Sequence, residues 1–374
     1  MKRDDHVAVL VAFSGDGGVE NMVVNLVSAW LAQGVRVDVV LIKSRGGHVQ
    51  RLPAGATVFR LNALTTLTAL PRIVGYLRTA QPPALLAVKD RAARAAIVAR
   101  AIAGVPCRVV IRLGMHLSGS LAGKTVWRRW SRWLPVRWVY PHADQIITVS
   151  NDIGDDLVEN AGLARDLFAT VANPVITPDF DQRMAAPITH RWFDDGGPPI
   201  ILGVGRLRAQ KDFVTLLRAV GKLAMERSVR LVILGEGPQR ASLIAWRDRL
   251  GLRDTVDLPG FVQDPLPWMA RADAFVLSSA FEGSPNVLVE AMACGTPVVA
   301  TDCPSGPRSI LRHGALGPLV PVGDAAAMKR ALAALLDEPT PADLLREAVG
   351  DFSAEASARR YGAILGLSTD TDGG

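Results

Sequence analysis

The chain has 374 residues, more than one ordinary hydrophobic core accommodates, and 49% of them are hydrophobic. A disordered chain is therefore excluded, and two domains are expected. The formal net charge of +6 favours an anionic partner, which leaves nucleic acid, a phosphorylated substrate and a membrane surface as candidates.

The N-terminal segment has a short apolar run at 7–13 that ends in a glycine-rich loop. It predicts a first β-strand rather than a signal peptide, and no apolar run reaches the ~20 residues of a membrane-spanning helix. The three cysteines, Cys107, Cys294 and Cys303, have neither metal-ligand spacing nor the pattern of a disulfide framework. These features fit the reducing cytoplasm.

Strands and helices alternate through the first half of the chain. Continuous apolar strands between amphipathic helices predict a parallel sheet with helices on both faces. After the strand at 7–13, strands are predicted at 36–42, 84–88, 109–113 and 145–149, and helices at 19–32, 64–79, 91–103, 124–139 and 152–160.

The alternation stops at 171–199, where Pro and Gly punctuate the chain, and then restarts. We expect a first domain at 1–172, a linker at 173–198, a second domain at 199–350, and a helix and tail at 351–374 that could cross back to the first domain. Strands of the second half are predicted at 200–204, 229–234, 274–277 and 297–300, and a further strand is expected to end at Gly260. Helices are predicted at 213–225, 239–250, 285–294, 325–336 and 354–365. Paired open α/β domains bind ligands in the cleft between them, at the carboxyl ends of the strands.

The segment Ser14-Gly15-Asp16-Gly17-Gly18 joins the first strand to the first helix. Glycines there would let backbone N–H groups approach an anion at the helix N-terminus. A dinucleotide fingerprint needs a third glycine where Glu20 stands, which disfavours a nicotinamide cofactor. A tight turn without a ligand is the alternative.

The segment Gly203-Val204-Gly205-Arg206-Leu207 ends the first strand of the second half, and Lys211 follows it. Two cations at the carboxyl end of a strand suit a diphosphate, because Arg can bind two oxygens at once. A solvated basic loop is the alternative.

A short apolar helix is predicted at 285–294. Ser284 is expected to be its N-cap and Pro285 its first residue, and Gly295 is expected to end it. The helical spacing predicts a buried stripe made of Leu288, Ala291 and Met292.

Two carboxylates, Glu282 and Glu290, accompany this helix. Glu290 shares a face with Asn286, where it could accept two hydrogen bonds from a vicinal diol such as a ribose. Glu282 could bind sugar hydroxyls, and the N–H groups of Asn286 and Val287 could bind a phosphate. The alternative is a structural ion pair at Glu290 and a solvated Glu282.

These segments resemble the motifs of the retaining family-four glycosyltransferases. The E-x7-E motif corresponds to Glu282–Glu290, and further matches are the loop at 17–20, the segment from Gly205 to Asp212, and Asn173-Pro174. The resemblance extends over nearly the whole chain. It implies the α/β fold called GT-B, with two Rossmann-like doubly wound parallel-sheet domains that face a central cleft.

The resemblance also implies roles for single residues. Ribose recognition falls to Glu290, contact with the donor sugar to Glu282, and neutralisation of the diphosphate to Arg206 and Lys211. The expected donor-binding residues are Gly17, Gly18, Arg206, Lys211, Phe261, Val262, Glu282, Pro285, Asn286, Val287 and Glu290. Family members retain the anomeric configuration, and a nucleotide-sugar is the co-substrate, with no metal expected.

His116 ends a strand of the first half. The resemblance places it near the donor sugar, so that His116, Glu282, Arg206 and Lys211 form the expected catalytic set. A satisfied loop histidine is the alternative for His116.

The segment 124–138 holds five cations, no acidic residue and four of the eight tryptophans. Such a mixture suits the headgroup level of an anionic membrane, and the alternatives are stacking on single-stranded nucleic acid and a plain amphipathic helix. Arg91, Arg94 and Arg100 could extend the basic face. The expected acceptor and membrane residues are Lys124, Trp127, Arg128, Arg129, Trp130, Arg132 and Trp133.

The segment Cys303-Pro304-Ser305-Gly306-Pro307-Arg308 resembles a signature in the branch of the family that acts on polyprenyl-diphosphate-linked glycans. That branch usually has Glu after the Arg, whereas this chain has Ser309. The departure bears on the contacts with sugar or acceptor and leaves the donor site unaffected.

The sequence thus predicts a retaining hexosyl- or N-acetylhexosaminyltransferase that moves a sugar from a UDP-sugar to a lipid-linked or surface glycan. It would bind an anionic membrane, at the cytoplasmic face of the plasma membrane, and no nucleic acid. The alternatives are a soluble GT-B transferase with a small acceptor, a nucleotide-sugar epimerase and a nucleic-acid-binding protein. The last would leave Glu282 and Glu290 without a role.

Overall fold

The computed structural model describes residues 5–14, 18–45, 49–114, 116–121, 123, 125–193 and 196–368. The chain forms two compact units. The first consists of Met1–Val175 and Phe352–Gly374, and the second of Ile176–Asp351.

The first unit contains a seven-stranded sheet in which all strand pairs are parallel, with the order β3-β2-β1-β4-β5-β6-β7. Apolar residues of β1 and β4 are buried on both faces, as the continuous apolar runs predicted. The strands are β1 (His6–Ser14), β2 (Arg36–Arg45), β3 (Thr57–Arg60), β4 (Ala84–Val88), β5 (Arg108–Leu113), β6 (Gln145–Thr148) and β7 (Phe168–Thr170).

Helices cover both faces of this sheet and bury two apolar clusters against it. The helix α2 begins with a capping box between Thr65 and Thr68, which satisfies two N-terminal N–H groups. The helices are α1 (Gly18–Ala32), α2 (Thr66–Ala80), α3 (Asp90–Ala103), α4 (Leu117–Leu121), α5 (Val126–Val139) and α6 (Asn151–Ala161).

The second unit contains a six-stranded parallel sheet with the order β10-β9-β8-β11-β12-β13. Its strands are β8 (Ile200–Val204), β9 (Arg230–Leu234), β10 (Val256–Gly260), β11 (Ala274–Leu277), β12 (Val298–Thr301) and β13 (Leu319–Val320). Its helices are α7 (Phe180–Met184), α8 (Phe213–Ala224), α9 (Arg240–Arg249), α10 (Leu266–Met269), α11 (Asn286–Ala293), α12 (Pro307–Ile310), α13 (Ala325–Asp337) and α14 (Ala342–Ala348).

The segment predicted as a linker, 173–198, contains regular structure. Its residues from Ile176 onwards group with the second unit and include the helix α7. The last helix, α15 (Ala354–Leu365), groups with the first unit, where Trp30 Nε1 donates a hydrogen bond to the carbonyl of Ala358.

Three short strands, β3, β7 and β13, had no counterpart among the predicted strands. Each is an edge strand of its sheet and has only two to four residues. Edge strands are partly exposed, so they lack the continuous apolar run by which the central strands were recognised.

Candidate functional site

Each sheet has a point at which the strand order reverses, between β1 and β4 in the first unit and between β8 and β11 in the second. Ligands of open α/β sheets bind at the carboxyl ends of the strands beside such a point. In the second unit, the loop after β8 carries Arg206 and Lys211, and the loop after β11 carries Glu282. The structure therefore brings these three residues to one sheet edge.

The loops that follow β8, β9 and β10 are joined through their backbones. The N–H of Gly235 donates to the carbonyl of Gly260 at 2.7 Å, and the N–H of Leu207 donates to the carbonyl of Glu236 at 2.9 Å. Gly235 has a φ of +136°, and a Cβ there would lie 2.0 Å from the carbonyl oxygen of Gly205. Only glycine permits this approach, which fixes the loop that carries Arg206.

Lys211 and Glu282 form an ion pair, with 2.6 Å between Nζ and Oε1. The Glu282 side chain is buried, and Ser279 Oγ also donates to Oε1 at 2.6 Å. The sequence had assigned the two residues to different parts of a ligand. The structure shows that they are direct neighbours although 71 residues separate them.

The turn at 303–308 supports the loop that carries Glu282. Ser305 Oγ donates to the carbonyl of Glu282 at 2.8 Å, and a Cβ on Gly306, which has a φ of +100°, would lie 2.6 Å from Pro285 Cδ. Arg308 is bound to Asp302 through two nitrogens. The segment 303–308 is thus packed against the loop that carries Glu282.

The helix α11 begins at Asn286, one residue later than predicted. The prediction of Ser284 as N-cap was wrong, because Pro285 occupies the N-cap position and no side chain caps the helix. The buried stripe at Leu288, Ala291 and Met292 and the left-handed Gly295 after the helix were predicted correctly.

Glu290 lies on α11 and is half-buried. Burial raises the pKa of its carboxyl group to about 7, against the opposing effect of the Arg183 guanidinium. Arg183 binds Asp264 through two bonds, Nε to Oδ2 at 2.7 Å and Nη2 to Oδ1 at 3.1 Å. Neither residue was predicted from the sequence, since Arg183 lies in the predicted linker and 81 positions separate the pair.

Arg206 and Phe261 are exposed and Val262 is half-buried. No hydrogen bond or ion pair engages the Arg206 guanidinium within the described part of the chain, so it is accessible to an anion. Gly17 lies outside the described residues, and Gly18 is the first residue of α1.

In the first unit, His116 follows β5, and its Nδ1 accepts a hydrogen bond from the N–H of Gly119 at 3.1 Å. The neutral ring therefore carries its proton on Nε2, which is left as a donor. The buried Asp156 carboxylate lies 3.6 Å from Nδ1 and accepts from the N–H of Ser118. This carboxylate fixes the loop in which His116 lies.

Lys89 follows β4 at the same edge and was missed by the sequence analysis. Its φ of +76° is strained for a residue with a side chain, and such strain is concentrated at functional sites. Lys89 Nζ lies 2.6 Å from the buried Glu20 carboxylate. The signal in the sequence was a cation directly after a buried strand.

The helix α5 has an exposed face that contains Trp127, Trp130 and Trp138. Trp133, by contrast, is half-buried and packs against the core of the first unit, and Arg132 binds Asp90 at 3.1 Å. Lys124 and the side chain of Arg128 lie outside the described residues. Arg129 is exposed, as are Arg91 and Arg137, whereas Arg94 and Arg100 bind Asp90 and Asp144.

None of the described helices is both long enough and apolar enough to span a membrane. The described residues also contain no cluster of three or more His, Cys, Asp or Glu side chains suited to a metal ion.

Curated relatives of the chain include bacterial enzymes of glycan assembly. The chain is 34% identical over 210 residues to the N-acetylgalactosamine-N,N'-diacetylbacillosaminyl-diphospho-undecaprenol 4-alpha-N-acetylgalactosaminyltransferase of Campylobacter jejuni; the alignment covers 56% of this chain and 54% of that protein. It is 28% identical to the lipopolysaccharide core biosynthesis glycosyltransferase LpsE of Rhizobium meliloti, over 94% of this chain and 97% of the relative.

Among solved structures, HepE of Anabaena in complex with UDP superimposes with a TM-score of 0.76 at 20% identity. The match covers 98% of this chain and all of HepE. The GT-B fold predicted from the sequence is thereby confirmed.

Two family models match the chain in tandem. "Glycosyl transferase 4-like domain" matches residues 17–174, and "Glycosyl transferases group 1" matches residues 198–338. The matches cover most of both units, and they agree with the resemblance found in the motifs. The chain belongs to the glycosyltransferases that these two models describe.

Proposed function

We propose that this glycosyltransferase moves a sugar from a UDP-sugar to a lipid-linked glycan, with retention of the anomeric configuration. The observation that carries the donor half is the cluster of Arg206, Lys211 and Glu282 at the strand-order reversal of the second unit, with Glu290 on the next helix. Two carboxylates and two cations match a ligand that has two hydroxyl-bearing parts joined by a diphosphate.

Each member of the cluster has a part in this proposal. Glu290 accepts hydrogen bonds from the ribose hydroxyls. Lys211 and Ser279 both donate to Oε1 of Glu282, so Oε2 is the oxygen that accepts a hydrogen bond from a hydroxyl of the donor sugar. Arg206, Lys211 and the first N–H groups of α11 stabilise the departing diphosphate, which is the electrostatic part of catalysis.

Further residues complete the donor side of the proposal. Gly17 and Gly18 approach the diphosphate, Phe261 and Val262 lie beside the nucleobase, and His116 donates from Nε2 to the donor sugar. The acceptor hydroxyl attacks from the face of the leaving phosphate, which takes up its proton. The positive charges of Arg206 and Lys211 stabilise the departing diphosphate, for which other transferases use a metal ion.

The acceptor half of the proposal rests on α5 and on the relatives. The helix presents tryptophans and arginines without an acidic residue, a composition suited to the headgroups of an anionic membrane. The name of the Campylobacter relative specifies an undecaprenyl-diphosphate-linked acceptor, and that of the Rhizobium relative specifies lipopolysaccharide core synthesis. We infer a lipid-linked acceptor reached from the cytoplasmic membrane surface.

The donor is tested by thermal shift with UDP, GDP, ADP and NAD. A ligand present at about 100 times its Kd stabilises a protein by roughly 2.7 kcal/mol, which is readily seen as a rise in Tm. We expect the largest rise with UDP. A rise with NAD alone, or none with any nucleotide while an oligonucleotide binds in a salt-dependent manner, would overturn the proposal.

The ribose role is tested by Glu290→Ala, with the exposed Glu338→Ala of the same unit as a matched control. We expect the first variant to lose UDP affinity while it remains folded, because the diol loses its acceptor, and the control to bind as the wild type does. Isothermal titration with UDP measures both. Unchanged affinity in Glu290→Ala would contradict the ribose role.

A further inference from the structure

Next to the helix that carries Glu290, the second unit holds a cation and an anion in fixed geometry. Arg183 of α7 binds both oxygens of Asp264, at 2.7 and 3.1 Å. Asp264 Oδ1 also accepts from the N–H of Leu266 at 3.2 Å, at the start of α10. The helix α10 packs against both α7 and α11, so the pair is held beside the helix of Glu290.

Glu290 interacts electrostatically with both members of this pair. Burial disfavours its charge, Arg183 favours the charge and Asp264 opposes it, while Lys211 favours it more weakly. In the described residues, no hydrogen bond or ion pair joins the Glu290 carboxylate to another side chain. Arg183, Asp264 and Lys211 therefore influence the charge of this carboxylate through space, without a hydrogen bond to its oxygens.

Two further groups lie near the end of α11. The Cys294 thiol stays neutral because burial raises its pKa to about 12. The Arg346 guanidinium donates to the carbonyl of Cys294 at 3.2 Å, at the opposite end of the helix from Asn286. Arg183 and Asp264, together with Lys211, are thus the charged side chains through which the surroundings act on Glu290.

We propose that Arg183 and Asp264 are positioning residues for the donor, in that their opposed charges set how readily Glu290 ionises and thereby the pH at which the second unit binds a nucleoside-diphosphate sugar. This inference rests on the proposed ribose role of Glu290. An ionised carboxylate accepts a hydrogen bond from each ribose hydroxyl, whereas in a protonated carboxyl group one oxygen carries a proton and is a poorer acceptor. Donor binding consequently favours the ionised form.

The wild-type protein should bind UDP-glucose more tightly as the pH rises through neutrality. With a pKa of about 7 in the free protein, the ionised fraction of Glu290, and with it the affinity, increases ~tenfold between pH 6 and pH 8. UDP-glucose is the suitable probe, since its diphosphate diester has no ionisation in this range. Titrations from pH 5.5 to pH 8.5 give the midpoint.

The two variants Arg183→Gln and Asp264→Asn should move this midpoint in opposite directions. Loss of the cation raises the pKa of Glu290 and weakens binding at pH 7, whereas loss of the anion lowers the pKa and strengthens binding at pH 7. At pH 7 we expect Kd to rise at least twofold in Arg183→Gln and to fall by up to about twofold in Asp264→Asn, since about half of Glu290 is already ionised in the wild type, and both values should converge on the wild-type Kd by pH 8.5. A purely structural pair would instead weaken binding in both variants at every pH.

Arg183→Lys and Arg227→Gln serve as controls. Arg183→Lys keeps the charge but not the bidentate geometry, and should retain the wild-type midpoint. Arg227 pairs with Asp337 at 2.6 Å elsewhere in the second unit, so Arg227→Gln removes a comparable ion pair without effect on Glu290.

A measurement without ligand separates this inference from the proposed function. Carbon-detected NMR titration of the Glu290 carboxyl, assigned with Glu290→Gln, should show a higher midpoint in Arg183→Gln and a lower one in Asp264→Asn. Midpoints that stay equal to the wild type, or that move in the same direction, would overturn the inference. Opposite shifts without any UDP-glucose binding would uphold the electrostatic effect on Glu290 but overturn the link to the donor together with the proposed ribose role.

Discussion

At the scale of single residues, the Lys211–Glu282 ion pair is a structural contact between two residues of the proposed donor site. Both side chains are largely buried, and each is the nearest opposite charge of the other at 2.6 Å. A buried charge that loses its partner is destabilised much more than an exposed one. The pair therefore keeps both charges in place at the sheet edge.

Lys211→Met should destabilise the protein by about 3 kcal/mol, because it leaves the buried Glu282 carboxylate with Ser279 alone. The free energy of unfolding from urea denaturation measures the change. Lys329→Met is the matched control, since Lys329 pairs with the exposed Glu226 and should contribute less than about 1 kcal/mol. Equal effects of the two variants would contradict the importance of burial.

Glu290 should make the stability of the ligand-free protein depend on pH. Its pKa in the folded state, about 7, lies above the ordinary value of 4.5, so the folded state favours the protonated carboxyl. The resulting stabilisation is complete below about pH 4.5 and is lost as the pH rises through 7. Relative to Glu290→Gln, the free energy of unfolding of the wild type should fall by up to ~3 kcal/mol over this range, as measured by urea denaturation at several pH values. Parallel pH profiles of the two proteins would contradict this assignment.

At the scale of elements, the amino-acid composition of α5 does not determine which of its side chains are exposed. Its four tryptophans do not share one face: Trp127, Trp130 and Trp138 are exposed, whereas Trp133 contacts the core. Val126, Trp130, Leu134 and Trp138 recur every four residues and form an exposed apolar stripe. Trp133 is thus a packing residue, and Trp138 takes its place in the candidate membrane surface.

The variant in which Trp127, Trp130 and Trp138 are all changed to Ala should lose binding to anionic liposomes and keep its UDP affinity. Sedimentation with vesicles of phosphatidylglycerol and phosphatidylcholine measures the first property, and isothermal titration measures the second. Trp133→Ala should instead destabilise the first unit by about 2 kcal/mol, less than the 3–5 kcal/mol of a fully buried Trp. Vesicle binding that survives the triple change would exclude α5 as the membrane surface.

At the scale of the whole molecule, the first unit consists of two chain segments that are separated in sequence by the second unit. The segment 352–374 belongs to the first unit, where Tyr361 is fully buried, with its ring edge-to-face against Trp30 and a centroid distance of 6.5 Å. Ser357 Oγ donates to the carbonyl of Ala172, which ties α15 to the end of that unit's first chain segment. The stability of the first unit therefore depends on α15.

Tyr361→Ala should destabilise the first unit by about 4 kcal/mol through the cavity it leaves. Hydrogen exchange should show the loss of protection at β1, β2 and α1 but not at the strands of the second unit. The exposed Arg359→Ala on the same helix is the control and should change neither region. Loss of protection spread equally over both units would contradict the assignment of α15 to the first unit.

The central strands and the motifs of the proposed donor site could be predicted from the sequence, because each has a local cause. Strands such as β4 and β11 are buried on both faces, so they appear as unbroken apolar runs, and a glycine after a strand marks a close backbone approach. The E-x7-E spacing of Glu282 and Glu290 is likewise visible in one segment.

Only the tertiary structure decided which side chains meet. The Lys211–Glu282 pair, the Arg183–Asp264 pair and the contact of Trp30 with Ala358 join residues that are 71, 81 and 328 positions apart. The local pattern of a sequence reports burial and helix or strand periodicity, both of which depend on near neighbours. Contacts between distant segments depend on strand order and helix packing, which arise when the whole sheet is assembled.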